Sequence, residues 1–222
     1  MSPSTSLDSG ARLLAALERT GPQPVLAWYG EAARIELSGH VLANWVIKTI
    51  GHLDGELALA AGDELVLDLS PHWKRLVLAL AAWSLGASTR TAGDDSDQVQ
   101  VVATDHPDSE LAEGADEVLA LEAVSLAPRF SGQLPPMVHD WAAEVRAFPD
   151  QLSVPLPSWT GPGPSAGTEE GATAPPRLLV EGDGLAAMPA VLAAWLAGGG
   201  IVGPAGAVSA QQAAEEAVTG SA

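Results

Sequence analysis

The sequence predicts an α/β fold: a mixed, mostly parallel sheet with helices on both faces. Three observations predict it. Short apolar runs of strand character alternate with segments whose apolar residues recur at helical spacing. Gly, Pro and N-cap residues punctuate the joins between them. Hydrophobic residues make up 47% of the 222 positions and charged residues only 17%, which is enough apolar side chain to build a sizeable core.

The elements follow in order. Leu13, Leu14 and Leu17 mark an amphipathic helix over 7–18, stopped by Thr20-Gly21-Pro22. Pro24 to Tyr29 reads as a strand, and 33–37 as the returning strand of a hairpin. Ser38 then stands as N-cap to a helix carrying Val41, Leu42, Trp45, Val46 and Ile50. A Gly62-Asp63 turn precedes the strand Glu64 to Leu69, and Ser70-Pro71 reads as N-cap and first residue of a helix ending at Gly86. Ala87 to Thr91, Gln98 to Ala103 and Glu117 to Leu121 are three further strands. Pro135-Pro136 introduces a helix from Met137 to Phe148. Leu152 to Pro176 is crowded with Pro, Gly, Ser and Thr and reads as a linker or loop, expected to be the least protected internal segment. A strand at 177–180, a helix at 185–196, a strand at 201–202 and a helical tail from Ser209 complete the chain. The expected division is an α/β domain over 1–151, an acidic linker over 152–176, and a unit over 177–222 packing on the same domain. Trp45, Leu65, Val66, Leu67, Leu76, Leu80 and Val101 are the expected core, with residues 24–121 in one α/β layer.

Charge excludes some functions. The formal net charge is −18. It is uneven, with 9 acids against 7 bases through residue 90 (net −2) and 19 against 3 thereafter (net −16). A phosphate backbone would be repelled by the second half, so nucleic acid is not an expected partner, and anionic membrane surfaces meet the same repulsion. The chain has no Cys, which removes disulfides, thiolate metal sites and cysteine nucleophiles. Asp8 precedes the first apolar stretch and no basic region opens the chain, so no signal peptide is read and a cytoplasmic location is expected. Leu185 to Ala214 is free of charge and long enough to span a bilayer. Pro189, Pro204 and Gly198-Gly199-Gly200 interrupt it, and Glu215-Glu216 follow where Lys or Arg would be expected, so no membrane span is predicted.

Several chemical motifs fail on context. Gly163-Pro164-Ser165-Ala166-Gly167 matches the G-x-S-x-G elbow, but no strand precedes it and no His follows His139. Asp94-Asp95-Ser96-Asp97 lacks the full acid set and the Gly of a calcium loop and reads as a solvated turn. His40, His52, His72, His106 and His139 show no zinc-ligand spacing, so no metal site is expected. Trp45, Trp83, Trp141 and Trp195 lie on apolar helix faces and read as core; Trp28, Trp73 and Trp159 are less clearly buried.

Across 24–103 the order of pieces carries a resemblance. Ser38 with its helix, then Gly62-Asp63-Glu64-Leu65-Val66, then Ala82-Trp83-Ser84-Leu85-Gly86-Ala87 resemble the opening of adenylate-forming enzymes, the AMP-binding acyl-CoA synthetase superfamily. The chain is similar to short actinobacterial proteins of unknown function that share distant similarity with the N-terminal part of those enzymes. The resemblance implies the fold of their N-terminal subdomain. It also implies an ATP-phosphate loop of the form (S/T)SGTTGxPKG, whose hydroxyls, backbone N–H groups and Lys hold the phosphates. The counterpart here runs from Ser165 to Pro175, with Ser165, Gly167, Thr168 and Gly171 as the vestigial phosphate-loop residues. Glu169 and Glu170 stand where phosphates would sit, and no Lys follows. Leu196 to Val202 is similar to the family's "L..GG..V" segment, while the later ribose-binding acid and the catalytic Lys have no counterpart. The expectation is a non-catalytic, truncated relative that binds a protein partner or a small acyl or nucleotide ligand, with no catalytic residue, no cofactor and no useful MgATP affinity. The alternative is a nucleotide-binding subunit, using ATP or AMP, of an acyl-adenylate-forming enzyme completed by another chain.

Overall fold

The structure, a computed structural model, describes residues 8–30, 34–92, 99–122, 126–165 and 174–222. Among them the chain runs α1 (Gly10–Arg19), β1 (Pro24–Tyr29), β2 (Arg34–Ser38), α2 (Gly39–Gly55), β3 (Glu64–Asp68), α3 (Trp73–Ser84), β4 (Ser88–Thr91) and β5 (Val99–Thr104). It continues with α4 (Glu110–Glu113), β6 (Ala115–Ala120), β7 (His139–Asp140), α5 (Trp141–Glu144), β8 (Arg177–Leu179), α6 (Met188–Leu196), β9 (Gly200–Gly203), α7 (Ala210–Glu215) and β10 (Gly220–Ser221). The α/β alternation is as predicted, but the strands form two five-stranded sheets rather than one, ordered β10-β8-β9-β1-β2 and β4-β3-β5-β6-β7. Two compact units correspond: residues 1–43 with 162–222, and residues 44–161. The grouping follows strand pairing rather than chain order, which is why 177–222 shares a unit with the N-terminal hairpin.

In the first unit, β1 and β2 pair antiparallel with Trp28 opposite Ile35. On its other edge β1 pairs parallel with β9, and β9 with β8. Val25, Leu26 and Ala27 are buried in succession along β1, as a strand covered on both faces requires. Trp195 of α6 is fully buried and its indole N–H donates to the Val25 carbonyl at 3.0 Å. The triple glycine has a steric cause. Gly198 ends α6 at φ +80°, and a Cβ on Gly199 would stand 1.9 Å from the Pro176 carbonyl oxygen, so an L side chain is excluded there.

The same unit carries a charged clasp. Glu216, just after α7, accepts from Arg34 Nε at 2.6 Å, Arg177 Nη2 at 2.6 Å and the Tyr29 hydroxyl at 2.9 Å. Its side chain is only 7% exposed. Burial would raise its pKa, but the bonds from Arg177, Tyr29 and Arg34 outweigh that and hold it below the ordinary glutamate value. Arg34 also reaches Glu36, at 2.5 Å, on the open side of the strand.

In the second unit every strand pair is parallel, with β3 between β4 and β5 and then β6 and β7 in turn. Leu65, Val66 and Leu67 of β3 are buried, and α3 is buried from Trp73 to Ser84 except for Arg75, the pattern of a helix enclosed on all sides. Of the expected core, Leu65, Val66, Leu67, Leu76, Leu80 and Val101 are buried; Trp45 is half-buried.

Four local expectations change. The helix after β3 begins at Trp73, not Pro71, because His72 supplies the N-cap: its Nδ1 accepts from the Lys74 N–H at 3.2 Å. Burial, helped by Lys74, pushes the His72 pKa down to about 3, which keeps that nitrogen an acceptor. The single helix expected over 137–148 is instead β7, then α5, then a 3₁₀ turn over Val145–Ala147. His139 and Asp140 first pair with Leu119 and Ala120 of β6, and Asp140 then caps α5 by accepting from the Ala143 N–H at 3.1 Å. Within 152–176, Thr160 donates to the Ala87 carbonyl at 2.6 Å and Trp159 meets Trp83 edge-on at 5.6 Å, so the segment starts docked on the second unit. The tail ends not in a helix but in β10, paired with β8. The uncharged stretch 185–214 is broken into a 3₁₀ turn, α6, β9 and the start of α7; no helix among the described residues is long and apolar enough to cross a membrane.

Candidate functional site

In the second unit the chain moves from β3 to β4 on one side and then to β5 on the other, so the strand order reverses at β3. Beyond the C-terminal ends of parallel strands at such a reversal, the loops diverge and leave a crevice. A cleft of about 330 Å³ lies there, lined by Asp68 at the end of β3 with Leu69 and Ser70 beyond it, Thr91 at the end of β4 with Ala92 beyond it, Asp105 and His106 after β5, and Arg75 from α3. Its walls are fixed by hydrogen bonds. Thr104 Oγ1 donates to Asp68 Oδ2 at 2.8 Å and accepts from the His106 N–H at 2.9 Å. Arg75 Nη1 donates to the Leu69 carbonyl at 3.0 Å, which holds the guanidinium over the loop that leads into α3. The His106 side chain is 76% exposed and stands 3.6 Å from Asp105. Two carboxylates, one guanidinium and two hydroxyl-bearing residues, Ser70 and Thr91, can bind a hydroxylated ligand with a single anionic group.

A second polar group lies elsewhere in the same unit. His52, in the last turn of α2, is fully buried and its Nε2 is 2.8 Å from Glu144 Oε2. His139 of β7 brings Nδ1 to 2.9 Å from the same oxygen, and its Nε2 lies 3.7 Å from Glu117 Oε2. The ligand atoms of His52, His139 and Glu144 all fall within 4.8 Å of one another. Burial lowers the His52 pKa despite the neighbouring Glu144; burial would raise Glu144, but the bonds from His52 and His139 hold it below its ordinary value.

Lys74 is also buried. Its ammonium donates to the Glu122 carbonyl at 2.8 Å and lies 5.9 Å from the Trp141 ring centre; desolvation pulls its pKa down to about 8.

Of the residues expected to match a phosphate loop, Ser165 belongs to the first unit, where it is exposed and its N–H donates to the Pro189 carbonyl at 2.8 Å. Gly167, Thr168 and Gly171 lie outside the described residues, as do Glu169, Glu170 and Asp94 to Asp97. Residues 163–165 follow no strand, in keeping with a G-x-S-x-G match that is not a nucleophile elbow. The cleft residues were missed because none stands in a motif; the strand-end positions of Asp68 and Asp105 were the available signal. The histidine–carboxylate group was missed because its members are scattered along the chain.

The comparisons with known proteins bear on the whole chain. Solved acyl-CoA synthetases superpose on most of it. The acetoacetyl-CoA synthetase from Streptomyces lividans matches 89% of this chain with a TM-score of 0.62 at 15% identity, over 38% of its own length. The Brucella canis acyl-CoA synthetase matches 91% with a TM-score of 0.62 at 15% identity, over 44% of its length. The fold is shared with acyl-CoA synthetases. In sequence, a Mycobacterium tuberculosis protein named "TIGR03089 family protein" is 32% identical over 149 residues, 65% of this chain. The match covers 61% of that relative, and its name states no activity. No protein-family model matches the chain. The structural matches thus show the fold of acyl-CoA synthetases, and the sequence match a relative in Mycobacterium.

Proposed function

We propose that this chain is a non-catalytic relative of adenylate-forming enzymes that acts by binding, and that its ligand occupies the cleft beyond β3, β4 and β5. One observation carries the reading, the disposition of the lysines. The chain has two, Lys48 and Lys74, and both ammonium groups donate to backbone carbonyls, of Phe148 and Glu122 respectively. None lines the cleft among the described residues, and none follows the Ser165–Pro175 segment. Transfer chemistry on a polyphosphate needs preorganised cations where charge develops. Among the described residues the cleft offers Arg75 as its one lysine or arginine against Asp68 and Asp105, so a triphosphate is repelled. A smaller ligand satisfies the same groups. Hydroxyls donate to the two carboxylates, and one phosphate or carboxylate meets Arg75. A nucleoside monophosphate or a short hydroxy-acid has that chemistry, and about 330 Å³ is near the lower end of the range for small-molecule sites.

Calorimetry and thermal shift at low ionic strength, with AMP, MgATP, CoA and short acyl carboxylates, test the proposal. We expect a monophosphate or small carboxylate to raise the melting temperature, and Asp105→Asn and Arg75→Ala each to weaken binding. Absence of any ligand response, or a response untouched by both variants, removes the cleft from consideration. MgATP binding with a dissociation constant below roughly 100 µM, about 5.5 kcal/mol, overturns the non-catalytic reading. It would favour a nucleotide-binding subunit completed by another chain.

A further inference from the structure

We propose that His52, His139 and Glu144 form a binding site for one divalent transition-metal ion of the zinc type. The three side chains come from α2, β7 and α5 and aim their donor atoms at one point, with His52 Nε2 and His139 Nδ1 at 2.8 and 2.9 Å from a single carboxylate oxygen. Two imidazoles and a carboxylate are a ligand set that zinc takes with a water in the fourth position. Glu144 and His139 are 35% and 23% exposed, so solvent reaches the open side while His52 closes the other.

Bonds of about 2.0–2.2 Å in a tetrahedral site place donor atoms about 3.4 Å apart. The present triangle, with all atoms within 4.8 Å, reaches that by small side-chain rotations. Without an ion, Glu144 Oε2 takes an N–H from each ring; a cation replaces those two protons and meets the ring lone pairs instead. Each ring then carries its proton on the other nitrogen, where a bound histidine needs an outer partner. For His139 that nitrogen is Nε2, which faces Glu117 at 3.7 Å. For His52 it is Nδ1, buried and without a partner. Thr49 Oγ1, three residues earlier on α2, is likewise buried and unpartnered, and positions three apart share a helix face. Metal loading puts a proton on Nδ1; the two atoms are not bonded to each other here, and the ring shift that loading requires would have to bring that donor to the Thr49 hydroxyl.

The competing account is a purely hydrogen-bonded triad, which predicts no saturable metal uptake. The chelator-stripped full chain, titrated with Zn²⁺ by calorimetry and with Co²⁺ by visible absorption, separates the two. One equivalent of Zn²⁺ should bind, and Glu144→Gln and His139→Ala should each weaken it at least tenfold. His40→Ala, on the exposed pair with Glu18, should change nothing. Because His139 is half-exposed and Glu144→Gln keeps a hydrogen-bond acceptor, at least one of these variants is expected to fold; circular dichroism checks both. No saturable binding at 100 µM Zn²⁺ would overturn the proposal. So would one-equivalent binding that survives both variants.

Discussion

The two sheets are built from the same kinds of strand but held by different forces. The all-parallel sheet of residues 44–161 is made by a continuous stretch of chain and packed with aliphatic side chains; Leu65, Val66, Leu76, Val77, Leu80 and Val102 are all at 0% exposure. The other sheet joins the two ends of the sequence, and its outermost strand, β10, is two residues long and exposed. Two residues pair too little backbone and bury too little apolar area to hold a chain end. The polar clasp at Glu216, four residues before β10, joins that end to β2 through Arg34 and to β8 through Arg177. The parallel sheet is most sensitive to a cavity; the other adds to its own buried core a carboxylate closure that is lost when Glu216 is protonated.

The largest expected effect is therefore a cavity in the second unit. Leu76 is fully buried in α3 among residues that are themselves fully buried. Leu76→Ala should destabilise by about 3–4 kcal/mol, since the lost transfer energy adds to an unfilled void. Urea unfolding followed by tryptophan fluorescence measures it. A loss under about 1 kcal/mol would mean that the helix can collapse into the space and that the contrast between the sheets is false.

Next comes the clasp. Glu216→Gln leaves two guanidinium groups facing a neutral amide and should cost about 2 kcal/mol, below the range for fully buried pairs because Arg34 is 38% exposed. Its pH dependence has a fixed sign. Glu216 is held below its ordinary value when folded, so its contribution is complete above the unfolded value of about 4.3 and is lost as pH falls through the folded one. His72 adds a different window in the other unit. Its folded pKa is about 3 against 6.5 unfolded, so the unfolded chain takes up a proton first and stability declines from about pH 6.5 downward. Acid titration of the wild type should thus show a loss beginning near pH 6.5 and a second below about pH 4.3, with Glu216→Gln shrinking only the second, to which Glu144 also contributes. A variant that flattens the upper window instead would reverse the assignment.

The contrast between the units also governs what the sequence revealed. Strands and helices with strong apolar periodicity, such as β3 and α6, were legible because burial alone fixes them. The Ser38 cap was legible too, and its hydroxyl accepts from the Val41 N–H at 3.3 Å. The start of α3 was misplaced because Ser70-Pro71 has the stronger local signature, and only tertiary burial makes the His72 ring the better acceptor. For the same reason Trp73 and Trp45 exchange roles. Trp73 is fully buried and Trp45 half-exposed, although Trp45 stacks on Trp141 at 5.3 Å. The separation into two sheets was hidden because β1 finds its parallel neighbour in β9, far along the chain. Neither candidate site could be read as a motif. The cleft arises from strand order, and 92 residues separate His52 from Glu144; in both cases the topology, not a spacing, makes the neighbours.

The smallest expected effect tests whether exposure is what gives the clasp its strength. Arg34 binds two carboxylates at once: Glu216, with 7% of its side chain exposed, and Glu36, with 42% exposed. The contacts are alike in length, at 2.6 and 2.5 Å, so geometry does not distinguish them. Water does. An exposed pair gains little Coulomb energy in high dielectric and gives up side-chain entropy to form, whereas Glu216 sits where the dielectric is lower and two further donors hold it. Glu36→Gln should therefore change stability by no more than about 0.5 kcal/mol, and 0.5 M salt should shrink even that by shortening the screening length. Glu216→Gln should keep most of its effect at the same ionic strength. Equal losses for the two variants, or equal erosion by salt, would show that burial is not what separates the two partners and would leave the first sheet without the polar closure argued for it.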